Sequence, residues 1–354
     1  MELGRDLHGG PSASAGAECP LCFTPGWSYR GAVPGYRQNQ HYQLYECRLC
    51  GVVAADPRQA DATVYADIYA QPERIPGYAR YSRYAREILS ASDPLAYLMD
   101  QEAGYWALVE GLRRHLPGRE ASILEVGCGM GYLTYALTRA GYRRVLGIDL
   151  SPAAVAAARR RYQTDFRAAD ITVFAGQTAE RFDAIVVSEV IEHLEDPAAL
   201  IAAARSLLKP GGCLICTTPN RDFGGLVRQI WATELPPVHL WWFGEDAVDS
   251  LARRLGLAVS FVDFTDWNRR YFYRFCKDLR RSLRAESAAT PVLDASGQPR
   301  VRAPSTRHHS YSRRRHLLEK WRNVFCRLRY PHLWFGRDIR RSVSLCAIFT
   351  DVQP

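Results

Sequence analysis

The amino-acid sequence predicts an α/β protein built on a doubly wound sheet, and three observations carry that expectation. Short apolar runs recur near 121–126, 144–149, 165–169, 182–189 and 212–218, with helix-like segments between them, as alternating strands and helices require. The first run closes on Glu125-Val-Gly-Cys-Gly-Met-Gly131, three glycines at alternate positions where a strand turns into a helix and its backbone can approach a ligand. The helix before the fifth strand is punctuated by Pro197 near its start and Gly211-Gly212 past its end. A further helix near 245–255 leads into a sixth strand, Leu257-Ala-Val-Ser-Phe-Val262.

The glycine spacing narrows the ligand. A dinucleotide loop needs glycine at position 132, which is Tyr132, so NAD is disfavoured. The E-x-G-x-G-x-G form instead resembles the loop of S-adenosylmethionine enzymes. Asp149 ends the second strand 22 residues after Gly127, where it can accept both ribose hydroxyls. Asp170, at the end of the third strand, is placed to meet an adenine amine. With Ser188 closing the fourth, the expected cofactor set is Glu125, Gly127, Gly129, Gly131, Asp149, Asp170 and Ser188.

Residues about 121–264 resemble class I S-adenosylmethionine-dependent methyltransferases, of the branch that includes ubiquinone-biosynthesis O-methyltransferases. ILEVGCGMG, GIDLSPAAV, FDAIVVSEVIEHLEDP, LLKPGG and CLICTTPN occur in the family's order and spacing. The resemblance implies methyl transfer with release of S-adenosylhomocysteine, on a Rossmann-like seven-stranded sheet whose last strand is antiparallel. That strand would be Val343–Phe349, about 80 residues beyond the sixth.

With 354 residues, 47% hydrophobic and 23% charged, the chain can bury a full α/β core and carry additions. Met1 to Glu18 is rich in Gly, Ser and Ala, reads as flexible, and lacks the apolar centre of a secretory signal, so the expected location is the cytoplasm. Cysteines there stay reduced, and grouped ones read as metal ligands. Cys19-Pro-Leu-Cys22 and Cys47-Arg-Leu-Cys50 are two knuckles 24 residues apart, the pattern of a structural zinc ribbon over 19–56 with a short hairpin between. The other six cysteines are scattered and read as buried.

Residues 57–118 read as a tyrosine-rich helical lid, ahead of a methyltransferase core at 119–266 and 342–354. The insertion at 267–341 is basic. Residues 269–341 hold 20 Lys/Arg against 5 Asp/Glu, a net of +15 in a chain whose total is +9, which leaves the remainder at −6. Such a surface attracts anions: a nucleotide-linked or lipid-linked saccharide, RNA, or a membrane surface. Ala285 to Ser305 is polar enough to be a disordered loop.

Chemistry is expected at Ser188-Glu-Val-Ile-Glu-His-Leu194. Methyl transfer needs a nucleophile held in line with the sulfonium methyl and a means of removing its proton. Were a helix to begin here, Glu189 would lie one turn from Glu192 and His193, and the three could ligate one Mg or Mn ion. This resembles the E-x-x-E-H site of ubiquinone-pathway O-methyltransferases and of small-RNA 2′-O-methyltransferases; the latter add a histidine after the fifth strand, where this chain has His239. In a metal-free reading His239 is the general base, titrating near the usual 6.5. The adjoining His239-Leu-Trp-Trp-Phe243 also resembles a stretch of sugar C-methyltransferases, with Val238 replacing their glutamate. The expectation is an enzyme that O-methylates a small-molecule or saccharide-linked acceptor. The alternatives are an RNA 2′-O-methyltransferase, a sugar C-methyltransferase and, last, a non-catalytic zinc-bearing binding protein.

Overall fold

The computed structural model describes residues 17–116, 118–223, 230–283, 289–300 and 313–352. The flexible start expected over 1–18 falls almost entirely outside them. An N-terminal sheet forms from β1 (Trp27–Pro34), β2 (His41–Cys47) and β3 (Val53–Asp56). Four helices come next: α1 (Ala62–Ala70), α2 (Ala79–Glu87), α3 (Pro94–Gln101) and α4 (Ala103–His115). The core then alternates β4 (Ser122–Val126), α5 (Tyr132–Arg139), β5 (Arg144–Asp149), α6 (Pro152–Tyr162), β6 (Asp165–Ala168), α7 (Ile171–Gln177), β7 (Phe182–Ser188), α8 (Pro197–Ser206) and β8 (Leu208–Pro219). After a two-residue strand β9 (Trp241–Trp242) come α9 (Glu245–Arg254) and β10 (Leu257–Phe261). Four further helices, α10 (Thr265–Arg270), α11 (Phe272–Leu283), α12 (Arg313–Arg329) and α13 (Pro331–Phe335), precede β11 (Ser344–Asp351).

The main sheet has seven strands in the order β10-β11-β8-β7-β4-β5-β6, and β11 runs antiparallel to both neighbours. Strand order reverses between β4 and β7, so a crevice opens beyond their carboxyl ends, where such folds bind ligands. Every residue of β4 is buried, as a central strand covered on both faces requires. Asp170 and Asp196 cap α7 and α8 through their carboxylates, and Ser151 with Pro152 starts α6.

Helix α8 opens on Pro197 and ends at Ser206, ahead of the glycine pair as expected; Gly211, at φ 76°, lies within β8 at the irregularity where that strand loses register with β7 after Phe182. One local expectation fails. The stretch expected to be a disordered loop is ordered over 289–300, because Val292 and Leu293 are buried and both donate backbone N–H bonds to the Tyr36 carbonyl at 2.9 Å. Its flanks, 284–288 and 301–312, lie outside the described residues.

The cysteine segment is more than a hairpin. Strands β1, β2 and β3 pair antiparallel, and β3 goes on to pair with β9, which joins them to the segment after β8. Cys19, Leu21, Trp27, Cys47 and Cys50 share one apolar cluster with Leu240, Trp241 and Phe243. No helix among the described residues is long and apolar enough to cross a membrane.

Candidate active site

A cavity of about 1120 Å³ opens at the reversal point, lined by the loops after β4, β5 and β7, by α1, α2 and the start of α4, and by α10 and α11. At its glycine-loop end, Gly127 has φ 72° and Gly129 φ 48°, the left-handed region that suits glycine. A Cβ on Gly127 would come within 2.6 Å of Val190, whereas one on Gly129 would meet nothing within 4 Å, so Gly129 borders open space for a ligand. The Gly129 N–H donates to Asp149 Oδ2 at 2.8 Å, and Ser151 N–H to Oδ1 at 2.9 Å, which fixes that carboxylate at the rim. Glu125 accepts from the Thr134 hydroxyl, and burial pushes its carboxyl up to about 8. Ser188 also lines the cavity and accepts a 3.4 Å bond from Thr217.

Two of the expected cofactor residues are placed differently from the rest. Gly131 does not line the cavity; its added Cβ would lie 2.7 Å from both Ala158 and Phe166, so it permits close packing of the loop on α6 and β6. Asp170 does line the cavity, but one carboxylate oxygen caps α7, accepting from the N–H groups of Thr172 at 2.7 Å and Val173 at 3.2 Å. Only the other is free for an adenine.

Across the cavity, three side chains converge. Glu192, His193 and His239 each offer a ligand atom, and those atoms lie within 4.8 Å of one another. Glu192 Oε2 accepts from Thr218 at 3.0 Å while Oε1 is buried and unpaired, 3.7 Å from His193 Nε2. His193 donates through Nδ1 to the Val238 carbonyl, which turns Nε2 inward as a lone pair. The Tyr65 hydroxyl donates to the same carbonyl at 3.0 Å. His239 Nδ1 is buried and has no hydrogen-bond partner among the described residues. Burial and then Glu189 raise Glu192 well above the usual carboxylate range.

Glu189 stands apart from this group. Its φ of 54° breaks the chain before the short 3₁₀ turn Ile191–His193, so no helical turn stacks it on Glu192. It shares the cavity, where burial and then Glu102 raise it to about 7. The titration of His239 also departs from expectation: burial first, then His193 and Arg80, hold it well below 6.5.

Sequence reasoning missed Arg80, Glu102, Glu234, Arg274 and Asp278, all in the cavity wall. Arg80 pairs with Glu102 at 2.9 Å, and burial raises Glu234 to about 7. A buried acid within the apolar Leu235-to-Phe243 neighbourhood was the available signal; the insertion's part in the wall left none.

The four ribbon thiols also converge, all within 4.8 Å of one another, with Cys19–Cys50 at 3.8 Å and Cys22–Cys47 at 3.6 Å. A tetrahedron of 2.3 Å zinc–sulfur bonds has edges of about 3.8 Å, so this set fits zinc. A hydrogen bond from Cys50 brings Cys19 down to about 5, toward the thiolate a metal needs. The other six cysteines are buried.

A family model described as a methyltransferase domain matches residues 85–260. The ubiquinone biosynthesis O-methyltransferase of Xanthomonas campestris is 43% identical over 111 residues, covering 30% of this chain and 45% of that protein. The enzyme of the same description from Cereibacter sphaeroides is 33% identical over 176 residues, covering 46% of this chain and 70% of the relative. The chain belongs to the class I S-adenosylmethionine-dependent methyltransferases. It spans about half the length of the first curated relatives it matches. Among solved structures, a glycopeptide N-methyltransferase bound to S-adenosylmethionine aligns at 20% identity and TM-score 0.36, over 44% of this chain and 85% of that one. A methyltransferase from Mesorhizobium loti aligns at 23% and 0.37, over 46% and 84%. The strand order carries the fold of this methyltransferase, independently of such distant superpositions.

Proposed function

We propose that the chain transfers the methyl of S-adenosylmethionine to an oxygen of a small-molecule or saccharide-linked acceptor. The observation that supports this reading most is the meeting, inside the cofactor cavity, of Glu192, His193 and His239, two of them with buried polar atoms that have no partner. Such atoms are costly unless a ligand satisfies them. The cofactor would lie along Gly127–Gly129, with Asp149 on its ribose hydroxyls, which sets its methyl toward the end of β7. The acceptor would enter between α1, α2 and α11, past Tyr65, Tyr69, Tyr81 and Trp231.

One carboxylate and two imidazoles also suit a divalent ion, Mn²⁺ better than the oxygen-seeking Mg²⁺. Glu192, His193 and His239 would hold it, and it would lower the pKa of an acceptor hydroxyl. Without a metal, His239 is neutral and can take that proton itself. The N-terminal thiols would hold a structural zinc. Incubation with methyl-labelled cofactor and cell extract tests the reading. Label is expected in a small-molecule or saccharide fraction; label confined to RNA or protein would refute it.

A further inference from the structure

Over residues 318–329, helix α12 is packed on one side only. Asn323 and Cys326 are buried, Glu319 pairs with Arg274 at 2.6 Å, and the Asn323 side-chain Oδ1 accepts from Tyr273 N–H at 2.7 Å. At about 100° per residue these positions share the face turned to α11. The opposite face carries Leu318, Trp321, Val324, Phe325 and Leu328, confined to a sector of about 120°. They are exposed rather than packed: Trp321 by 71%, Phe325 by 63% and Leu328 by 78%. Phe335, on the adjoining α13, is exposed by 80%. A row of large apolar side chains in water marks a surface that something covers.

The flanks name the occupant. Lys320 and Arg327 border the row on one side, Arg322 and Arg329 on the other. Arg322 and Arg327 stack on Tyr273 and Trp334, at 5.1 and 4.0 Å, contacts that hold the guanidinium without neutralising it. Among the described residues none of these four cations has an ion pair, and the one acid of this stretch, Glu319, is turned inward. Trp, Phe and Leu on one face with cations along both edges is the pattern of a helix that lies in the plane of an anionic bilayer, its long basic side chains reaching up to headgroups.

We propose that α12 docks the protein on an anionic membrane surface. Helix α11, which α12 covers, lends Arg274, Phe275, Asp278 and Arg281 to the cavity wall. Docking would therefore place the lipid surface one helix layer from the site, within reach of an acceptor carried on a lipid. The inference goes beyond the proposed methyl transfer and holds for any acceptor.

Sedimentation of the full chain with vesicles tests it. The protein is expected to pellet with phosphatidylcholine vesicles containing phosphatidylglycerol and to stay in solution with phosphatidylcholine alone. Trp321→Glu with Phe325→Glu should weaken partitioning about tenfold or more, while the thermal shift with S-adenosylhomocysteine, which reports the fold and the cofactor site, stays unchanged. Failure to bind anionic vesicles at low salt would overturn the proposal, as would equal binding by the double variant. A concentration-dependent dimer that the same substitutions dissolve, with no vesicle binding, would assign the row to a second copy of the chain instead.

Discussion

The ring of His193 meets the ring of His239 edge-on, with centroids 4.7 Å apart and planes at 84°. One comes just after β7 and the other just before β9, and the two segments are held together by Leu240 N–H donating to the Glu192 carbonyl at 2.7 Å. Two imidazoles this close, His239 buried and His193 half-buried, cannot both carry protons cheaply.

A pH experiment reads that relationship. The folded-state pKa of His239 lies well below its unfolded value of about 6.5, so its contribution to stability is complete above pH 6.5 and is lost as pH falls through and below that value. The melting temperature is expected to decline between pH 7 and 5 by more in the native chain than in His239→Gln. If His239 acts as the base, kcat/KM should be level from about pH 6.5 to 8 and fall only in more acid solution. A rate step centred on 6.5 would speak against that role.

Metal dependence separates Glu192, His193 and His239 from Glu189. Under the metal reading, mild chelation should abolish turnover without displacing cofactor, and Mn²⁺ should restore it. Glu192→Gln, His193→Ala and His239→Ala should each raise the metal concentration needed, while Glu189→Gln leaves it unchanged. A Glu189→Gln variant as metal-hungry as Glu192→Gln would place a fourth ligand where the backbone does not put one.

Cofactor binding should show as a thermal shift. S-adenosylhomocysteine at a hundredfold excess over its Kd should stabilise the chain by about 2.7 kcal/mol, and NAD should do nothing. Gly127→Arg or Asp149→Ala should remove most of the shift. Gly131→Ala acts differently: at φ 78° with neighbours at 2.7 Å it should cost about 1–3 kcal/mol of stability and leave the shift in place.

For the ribbon, elemental analysis should find about one zinc per chain, and Cys19→Ser or Cys50→Ser should lose it. Because β3 holds β9, two residues beyond His239, turnover should fall further than cofactor affinity. Loss of neither would mean that β9 keeps its place without the metal, and equal loss of both that the disturbance extends to the glycine loop.

The glycine-loop end of the cavity is legible in the sequence because a buried strand dictates where its own loop begins. Glu125, Gly127 and Asp149 belong to short buried runs whose length and order set the crevice, so spacing alone locates them. Position within a loop is less readable. Gly131 and Gly129 look equivalent in sequence, and only the tertiary neighbours Ala158 and Phe166 tell packing from open space. Glu189 is misplaced by sequence reasoning because a left-handed residue leaves no periodic trace. The cavity's far wall, from Arg80 to Asp278, is assembled from helices some 200 residues apart and has no local signature.

The single ladder between β3 and β9 also fixes what can be cut away. Trp241, Trp242 and Phe243 are buried in clusters to which the N-terminal strands contribute Trp27, Tyr42, Leu44, Val53 and Ala54. A shortened chain beginning after Asp56 would keep every methyltransferase motif and still present a raw strand edge flanked by two indoles, an invitation to self-association. The cysteine segment and the segment that carries His239 are joined through that ladder, so trimming by motif would divide what the backbone joins.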